Sequence, residues 1–221
     1  MVKLKICGMK RLEDIEIVNK YKPDYIGFVF AESPRKVSYE QAKELSNSLS
    51  EDVVPVGVFV NEHMKLIVDL FKEGIIKIAQ LHGDEDENYI INLKAKSLEQ
   101  TGSEIPIINA IEINKLFHAD DLDEDQVNER LLVWRDSVSD YFILDSGKGS
   151  GKTFNWDLVD KNSEFFKNSI FLAGGLNNEN LASAIEEFNP FAVDLSSSVE
   201  TDGFKDEEKI KEIMEIVENY K

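Results

Sequence analysis

Cysteine is nearly absent: Cys7 is the single one in the chain. No internal disulfide can form, so no disulfide scaffold is available, and a cytoplasmic location is the expectation. Long apolar runs are also missing. None approaches the ~20 residues a membrane span needs, so no membrane partner is expected. Met1 to Cys7 leads straight into a strand-like run. It has no basic region followed by an apolar stretch and a cleavage site, so no export signal is expected. Basic residues are few, with 25 Lys and Arg against 43 Asp and Glu and a net charge of −18. Such a surface repels phosphate backbones, and nucleic acid is not an expected partner. Nor is there a linker, a low-complexity stretch or a break in composition. Residues 1–221 are therefore expected to form one domain.

What is present fits a soluble, ordered chain: 42% of residues are hydrophobic and 31% are charged. Short β-branched or aromatic runs alternate with longer amphipathic stretches. The runs are Val2–Cys7, Asp24–Phe30, Val53–Val60, Ile76–Gln80, Ile105–Ile111, Tyr141–Asp145, Ile170–Ala173 and Phe191–Leu195. Helices are expected over Leu12–Tyr21 and from a Ser38 cap to Leu49, with Gln41 completing a capping box. A third is expected to follow an Asn61 cap, and others to cover Glu85–Glu99, Asp121–Ser137, Trp156–Lys167, Asn177–Phe188 and Glu207–Tyr220. The run Asp84-Glu85-Asp86-Glu87 would sit in a first helical turn, where carboxylates suit the dipole. Strict alternation implies a parallel sheet with helical crossovers. Eight strand–helix pairs in 221 residues imply a closed (β/α)8 TIM barrel, a fold of about 200–250 residues.

In such barrels the active site lies at the C-terminal ends of the strands. The residues just after the eight runs are Cys7-Gly8, Ser33-Pro34-Arg35, Asn61, Gln80-Leu81-His82-Gly83, Glu112, Asp145 with the loop Gly147–Gly151, Gly174-Gly175, and Asp194 with Ser196-Ser197-Ser198. Nucleophilic, acidic and phosphate-suited residues thus gather on one rim. Gly174-Gly175 after strand seven and Ser196-Ser197 after strand eight occupy the place where many barrels hold phosphate with backbone N–H groups. A phosphorylated small molecule is the expected ligand.

The residues then match a known family. KICGM at 5–9, GFVF at 27–30, SPR at 33–35, VGVFVN at 56–61, QLHGDE at 80–85, LDS at 144–146, GSGKTFNW at 149–156, LAGGLNNEN at 172–180 and PFAVDLSSSVE at 190–200 run in the order found in phosphoribosylanthranilate isomerases. The chain resembles that family over nearly its whole length. The resemblance implies a (β/α)8 barrel without cofactor or metal, monomeric or homodimeric, acting in tryptophan biosynthesis. The implied reaction is an Amadori rearrangement of N-(5-phosphoribosyl)anthranilate to 1-(2-carboxyphenylamino)-1-deoxyribulose 5-phosphate. An acid protonates the ring oxygen and the furanose opens to an imine. A base then removes the proton from the second sugar carbon, and the enolamine tautomerises to the ketone.

By the family pattern Cys7 is the base and Asp145 the acid. A free thiol with a pKa of ~8.5 is only slightly ionised at neutral pH, so the site must help it. Lys5 shares the strand face of Cys7, yet about 7 Å separates neighbours on one face, and little help is expected from it. Asp145 must hold its proton, which partial burial favours. Arg35 resembles the residue that receives the anthranilate carboxylate through its guanidinium fork. Gly174, Gly175, Ser196 and Ser197 would hold the phosphate, and Asp194 beside them would orient the site. His82 is read as structural, His63 and His118 as surface residues. Phe154 and Trp156 would pack the sixth loop on its helix.

Three positions depart from the family. Ser198 replaces a glycine, which would strain the phosphate loop if that position needs a positive φ. Asn155 replaces an aspartate, and Asn109 stands where strand five usually carries a basic residue. Three rival readings are weaker. Ser146–Thr153 nearly fits a P-loop, but Ser146 replaces its first glycine and Phe154-Asn155-Trp156 delays the helix. A sister isomerase of histidine biosynthesis would carry an aspartate base on strand one instead of Cys7. A non-catalytic phosphate-binding barrel has no use for Cys7, Asp145 and Arg35 together.

Overall fold

The computed structural model describes residues 1–112, 126, 129, 131, 132, 134, 137–145 and 169–220. Eight strands form a closed parallel barrel: β1 (Lys3–Cys7), β2 (Tyr25–Val29), β3 (Val54–Phe59), β4 (Ile78–Leu81), β5 (Ile107–Glu112), β6 (Tyr141–Asp145), β7 (Ile170–Leu172) and β8 (Ala192–Leu195). Each expected strand is present within two residues at either end. Closure pairs β1 with β8 through Lys3↔Ala192, Leu4↔Val193, Lys5↔Asp194 and Ile6↔Leu195. The described helices are α1 (Leu12–Tyr21), α2 (Tyr39–Asn47), α3 (Met64–Lys72), α4 (Glu87–Thr101), α5 (Leu181–Phe188) and α6 (Glu207–Glu218). Most of the helix expected over Asp121–Ser137 and all of that over Trp156–Lys167 lie outside the described residues.

The two faces of the sheet bury different things, because successive side chains point to opposite sides of a strand. One set, including Leu4, Ile6, Phe28, Leu81, Leu144 and Val193, packs against the helices in the larger core. The other fills the barrel: Tyr25, Val56, Ile78, Ile108, Ile143 and Phe171 form a separate apolar cluster. Its floor is aromatic, with Tyr25 and Tyr141 edge-on to Phe171 at 5.4 and 5.7 Å between ring centroids. Above that floor the interior turns polar. Alternation on β1 sends Lys3, Lys5 and Cys7 inward, opposite Leu4 and Ile6. It likewise sends Gln80 of β4, Asp145 of β6 and Asp194 of β8 inward.

Local chemistry explains the helix starts, with some corrections to the sequence reading. Ser38 Oγ accepts from the Gln41 N–H at 3.1 Å, as a cap should. The Gln41 side chain does not complete a capping box; it donates to the Lys10 carbonyl at 2.6 Å and ties α2 to the first loop. Asn61 does not cap α3. It sits in the left-handed region at φ 50°, and its Oδ1 accepts from the Asp84 N–H at 2.9 Å. The cap is His63, whose Nδ1 accepts from Lys65 N–H at 3.2 Å. Glu85 lies before α4, not within it, and receives the N–H groups of Asn61 and Gly83. Asp86 caps that helix.

A two-stranded hairpin after β8 was not expected from the sequence. It pairs β9 (Glu200–Thr201) with β10 (Phe204–Lys205) and sets Glu200 opposite Lys205. Its turn residues, Asp202 at φ 54° and Gly203 at φ 76°, both take the left-handed region that a tight two-residue hairpin loop demands.

Candidate active site

Cys7 ends β1 inside the barrel mouth and is only 8% exposed. Its strand neighbour is Gly27, where a Cβ would lie 2.6 Å from Cys7 Sγ. Glycine is therefore what makes room for the thiol. Ser196 Oγ donates to the Cys7 carbonyl at 3.1 Å and fixes the end of the strand against β8. Burial pushes the thiol above its ordinary value, and the charge of Asp194 adds to that, while Lys5 and Lys205 pull the other way.

The expectation that Lys5 gives Cys7 little help is not met. Lys5 is fully buried, and its ammonium donates to Asp194 Oδ2 at 2.8 Å. Its long stem reaches where its Cα does not, so its charge also acts on Cys7. Burial alone would lower Lys5, but Asp194 and Cys7 outweigh it and hold the ammonium above its ordinary value. Burial pushes the Asp194 carboxyl up, against the pull of Lys5. Asp194 Oδ1 is buried without a partner among the described residues.

Asp145 ends β6 on the same rim. Its Oδ2 faces His82 Nε2 at 3.7 Å. His82 Nδ1 lies 3.3 Å from Gln80 Nε2. His82, read as structural from the sequence, thus stands beside the expected acid.

Arg35 projects from the segment after β2 and does not wait with an empty fork. Its Nε and Nη2 donate to Glu200 Oε1 and Oε2, each at 2.7 Å. Lys205 donates to the same Oε1 at 2.7 Å and to the Ser196 carbonyl at 3.0 Å. Burial would raise Glu200, but hydrogen bonds from Arg35 and Lys205 hold it at about 2. Among the described residues, two of the five guanidinium N–H groups are engaged in this way. Gly8 is needed beside it: φ is 95°, and a Cβ there would lie 2.5 Å from Arg35 Cδ.

Gly174 and Gly175 follow β7 with φ of 87° and 72°, a conformation few other residues adopt. The Gly175 carbonyl is turned to the side-chain amides of Asn177 and Asn180. Ser196 follows β8, and Ser197 opens a 3-10 turn, Ser197–Val199. The concern over Ser198 falls away: it lies inside that turn and is not among the residues of positive φ. Its Oγ is nonetheless buried without a partner. Asn109 lies on the helix-facing side of β5, with Nδ2 buried and unpartnered among the described residues, and does not enter the barrel.

Cys7, Asp145, Asp194, Ser196 and Arg35 therefore meet at one end of the barrel, with Gly174-Gly175 and Ser197 on the two adjoining loops. Lys205 and Glu200 join them without having been singled out beforehand, as do Lys5 and His82, to which the sequence reading gave no part in the chemistry. The Asp202-Gly203 pair was the available signal for Lys205 and Glu200, since it predicts a hairpin that brings its flanking residues together. The loop Gly147–Gly151, the P-loop-like Ser146–Thr153, Phe154, Asn155, Trp156 and His118 lie outside the described residues. No helix among the described residues is long and apolar enough to cross a membrane.

Such a site sets one thiol, the carboxyls of Asp145 and Asp194 and the Arg35 fork at a shared mouth, beside the loops of Gly174-Gly175 and Ser197. The family model for N-(5′-phosphoribosyl)anthranilate isomerase matches residues 4–216. The isomerase of that name from Clostridium acetobutylicum is 42% identical over 226 residues, covering 100% of both chains. The chain belongs to the N-(5′-phosphoribosyl)anthranilate isomerase family. Solved structures of the family agree in fold. That from Thermus thermophilus superposes with a TM-score of 0.77 at 27% identity, covering 100% of both chains. Another family member, in complex with reduced 1-(o-carboxyphenylamino)-1-deoxyribulose 5-phosphate, gives 0.73 at 34% identity over 99% of this chain and 100% of that one. The phosphoribosylanthranilate isomerases are enzymes of tryptophan biosynthesis, and this chain is an isomerase with their barrel.

Proposed function

We propose that the chain catalyses the Amadori rearrangement of N-(5-phosphoribosyl)anthranilate, with Cys7 as general base and Asp145 as general acid. The observation that carries this reading is the placement of Cys7 and Asp145 on β1 and β6 at one barrel mouth, with Asp194 of β8 electrostatically coupled to both. The phosphate is held by Gly174-Gly175 and Ser196-Ser197. The far edge of the Arg35 fork receives the anthranilate carboxylate, while Glu200 keeps the fork in place.

Asp145 gives its proton to the ring oxygen, the C1–O bond breaks, and nitrogen's lone pair forms the iminium. The Cys7 thiolate then takes the proton from the second carbon, and the C–H electrons neutralise the iminium to give the enolamine. The enolamine tautomerises to the ketone. Neither step calls for a metal or a cofactor. His82 Nε2 faces the Asp145 carboxylate left after the first transfer and offers it a hydrogen bond.

Turnover of N-(5-phosphoribosyl)anthranilate, followed by loss of its fluorescence with EDTA present, tests the reading. Full activity in EDTA and near-complete loss in Cys7→Ala, with an unchanged unfolding curve, are expected. Wild-type activity in Cys7→Ala would sink the base assignment.

A further inference from the structure

A lysine that is wholly buried inside a barrel is a costly feature, because its ammonium leaves water. Replacing buried ion pairs with apolar side chains of similar size is often neutral or stabilising. Lys5 is nonetheless 0% exposed, on the inward face of β1 two residues below Cys7. Its partner Asp194 is its Cα neighbour across the β1–β8 closure, and the two charged groups touch at 2.8 Å. That pairing is incomplete, since Asp194 Oδ1 is buried with nothing donating to it among the described residues. An excellent structural ion pair would satisfy both carboxylate oxygens.

Cys7 has charged neighbours on several sides. Lys5 shares its strand, Asp194 comes from β8, Lys205 from β10 and Arg35 from the loop after β2. Asp145 of β6 reaches it through Asp194, and Glu200 sits behind Arg35 and Lys205. Lys205 and Arg35 share the carboxylate of Glu200. Lys5 is the cation on the thiol's own strand whose charge most favours the thiolate, and Asp194 is the anion that opposes it there.

We infer that the buried Lys5–Asp194 pair is the charge regulator of Cys7, with Lys5 favouring the thiolate and Asp194 opposing it. Both are positioning residues that act through the thiol. The catalytic consequence rests on the reading of Cys7 as the base, but the effect on the thiol does not. The arrangement keeps the buried thiol from being permanently ionised while leaving a cation in place to receive the charge when it forms.

The two partners of one ion pair must then move Cys7 in opposite directions. A pair that merely holds the strands together would move it the same way, or not at all, when either half is removed. Cys7 is the single cysteine, so alkylation of the intact chain reads it alone. The pH midpoint of the iodoacetamide rate is measured for wild type, Lys5→Met and Asp194→Asn, with thiolate absorbance near about 240 nm, referenced to Cys7→Ala, as a second readout. Lys5→Met is expected to move the midpoint up, slowing alkylation about tenfold at neutral pH. Asp194→Asn is expected to move it down, with alkylation about tenfold faster, one unit of midpoint being tenfold in thiolate. The double variant should return close to wild type. If Lys5→Met does not fold, Asp194→Asn alone decides: a midpoint that stays or rises overturns the inference. Equal-direction shifts in the two single variants overturn it as well. Wild-type turnover is assayed in parallel, so a chain that does not turn over the sugar amine but shows the opposed shifts rejects the proposed reaction and keeps the regulator.

Discussion

Gly27 and Cys7 are strand neighbours between which no side-chain atom of residue 27 can fit: a Cβ at Gly27 would meet Cys7 Sγ at 2.6 Å and Cys7 Cα at 3.1 Å. Gly27→Ala must therefore displace the thiol or bend β2. Overpacking of this kind costs about 1–3 kcal/mol, and a displacement near 1 Å costs roughly a hundredfold in rate. Gly57→Ala is the control. Its Cβ would meet the Phe59 ring at 2.7 Å, away from the mouth. Both variants should unfold at lower urea, but kcat should fall only in Gly27→Ala. Equal kcat in the two would show that the thiol position is not critical.

Asp145→Asn keeps the shape of the side chain and removes the transferable proton. Turnover is expected to fall at least about a thousandfold, within the range general acids contribute. His82→Gln should act on the same step more weakly, with kcat down about tenfold and KM little changed. Stopped-flow kcat and steady-state KM for both variants provide the check. A fully active Asp145→Asn would place the acid elsewhere.

Glu200 links binding to pH. Its carboxyl is held at about 2 against an ordinary value of 4.5. A depressed acid contributes stability that is complete above the ordinary value and is lost as pH falls through the folded one. The stability gap between wild type and Glu200→Gln should thus be full at neutral pH, shrink below 4.5 and close near 2. Urea unfolding across that range measures it. The same variant loosens Arg35, so KM should rise on the order of tenfold with a smaller change in kcat, as loss of a charge-assisted fork predicts. A gap that does not narrow toward pH 2 would contradict the assigned ion pairs.

Ser198 carries a buried hydroxyl with no partner, in a turn that does not need glycine. Removing an unsatisfied buried group recovers its desolvation penalty, about 1–3 kcal/mol. Ser198→Ala should raise Tm by a few degrees, roughly 2–4 °C per kcal/mol for a chain of this size, and leave KM for the phosphorylated substrate unchanged. A raised KM at unchanged Tm would instead make the hydroxyl a phosphate ligand.

The strands were readable because alternating apolar and β-branched runs specify both their existence and their faces. The rim residues followed from where the strands end. Cys7, Asp145, Arg35, Gly174-Gly175 and Ser196-Ser197 were therefore nameable in advance. Lys5 was visible on the right face, but rise per residue measures backbone and not the reach of a four-carbon stem. Glu200 and Lys205 stayed hidden because each looks like a solvated charge until the Asp202-Gly203 turn folds them opposite one another. His82 was missed for a related reason: its partner lies on β6, 63 positions further along the sequence, and only barrel closure brings it near. Asn61 shows the ordinary limit of cap reading: the expected cap takes a left-handed backbone, and His63, read as a surface residue, caps α3 in its place.

The β1–β8 seam has a consequence for synthesis. The contacts that finish the site, Lys5 to Asp194 and Ser196 to the Cys7 carbonyl, each join residues 189 positions apart. Contacts of such long sequence separation form late, after the loop-closure entropy of the intervening chain has been overcome. On the ribosome the thiol of β1 emerges long before β8, and the ion pair and strand clamp around it are still unmade when most of the barrel has been translated. The chemistry is thereby deferred to the last strand, so a nascent or truncated barrel carries an exposed cysteine and no isomerase.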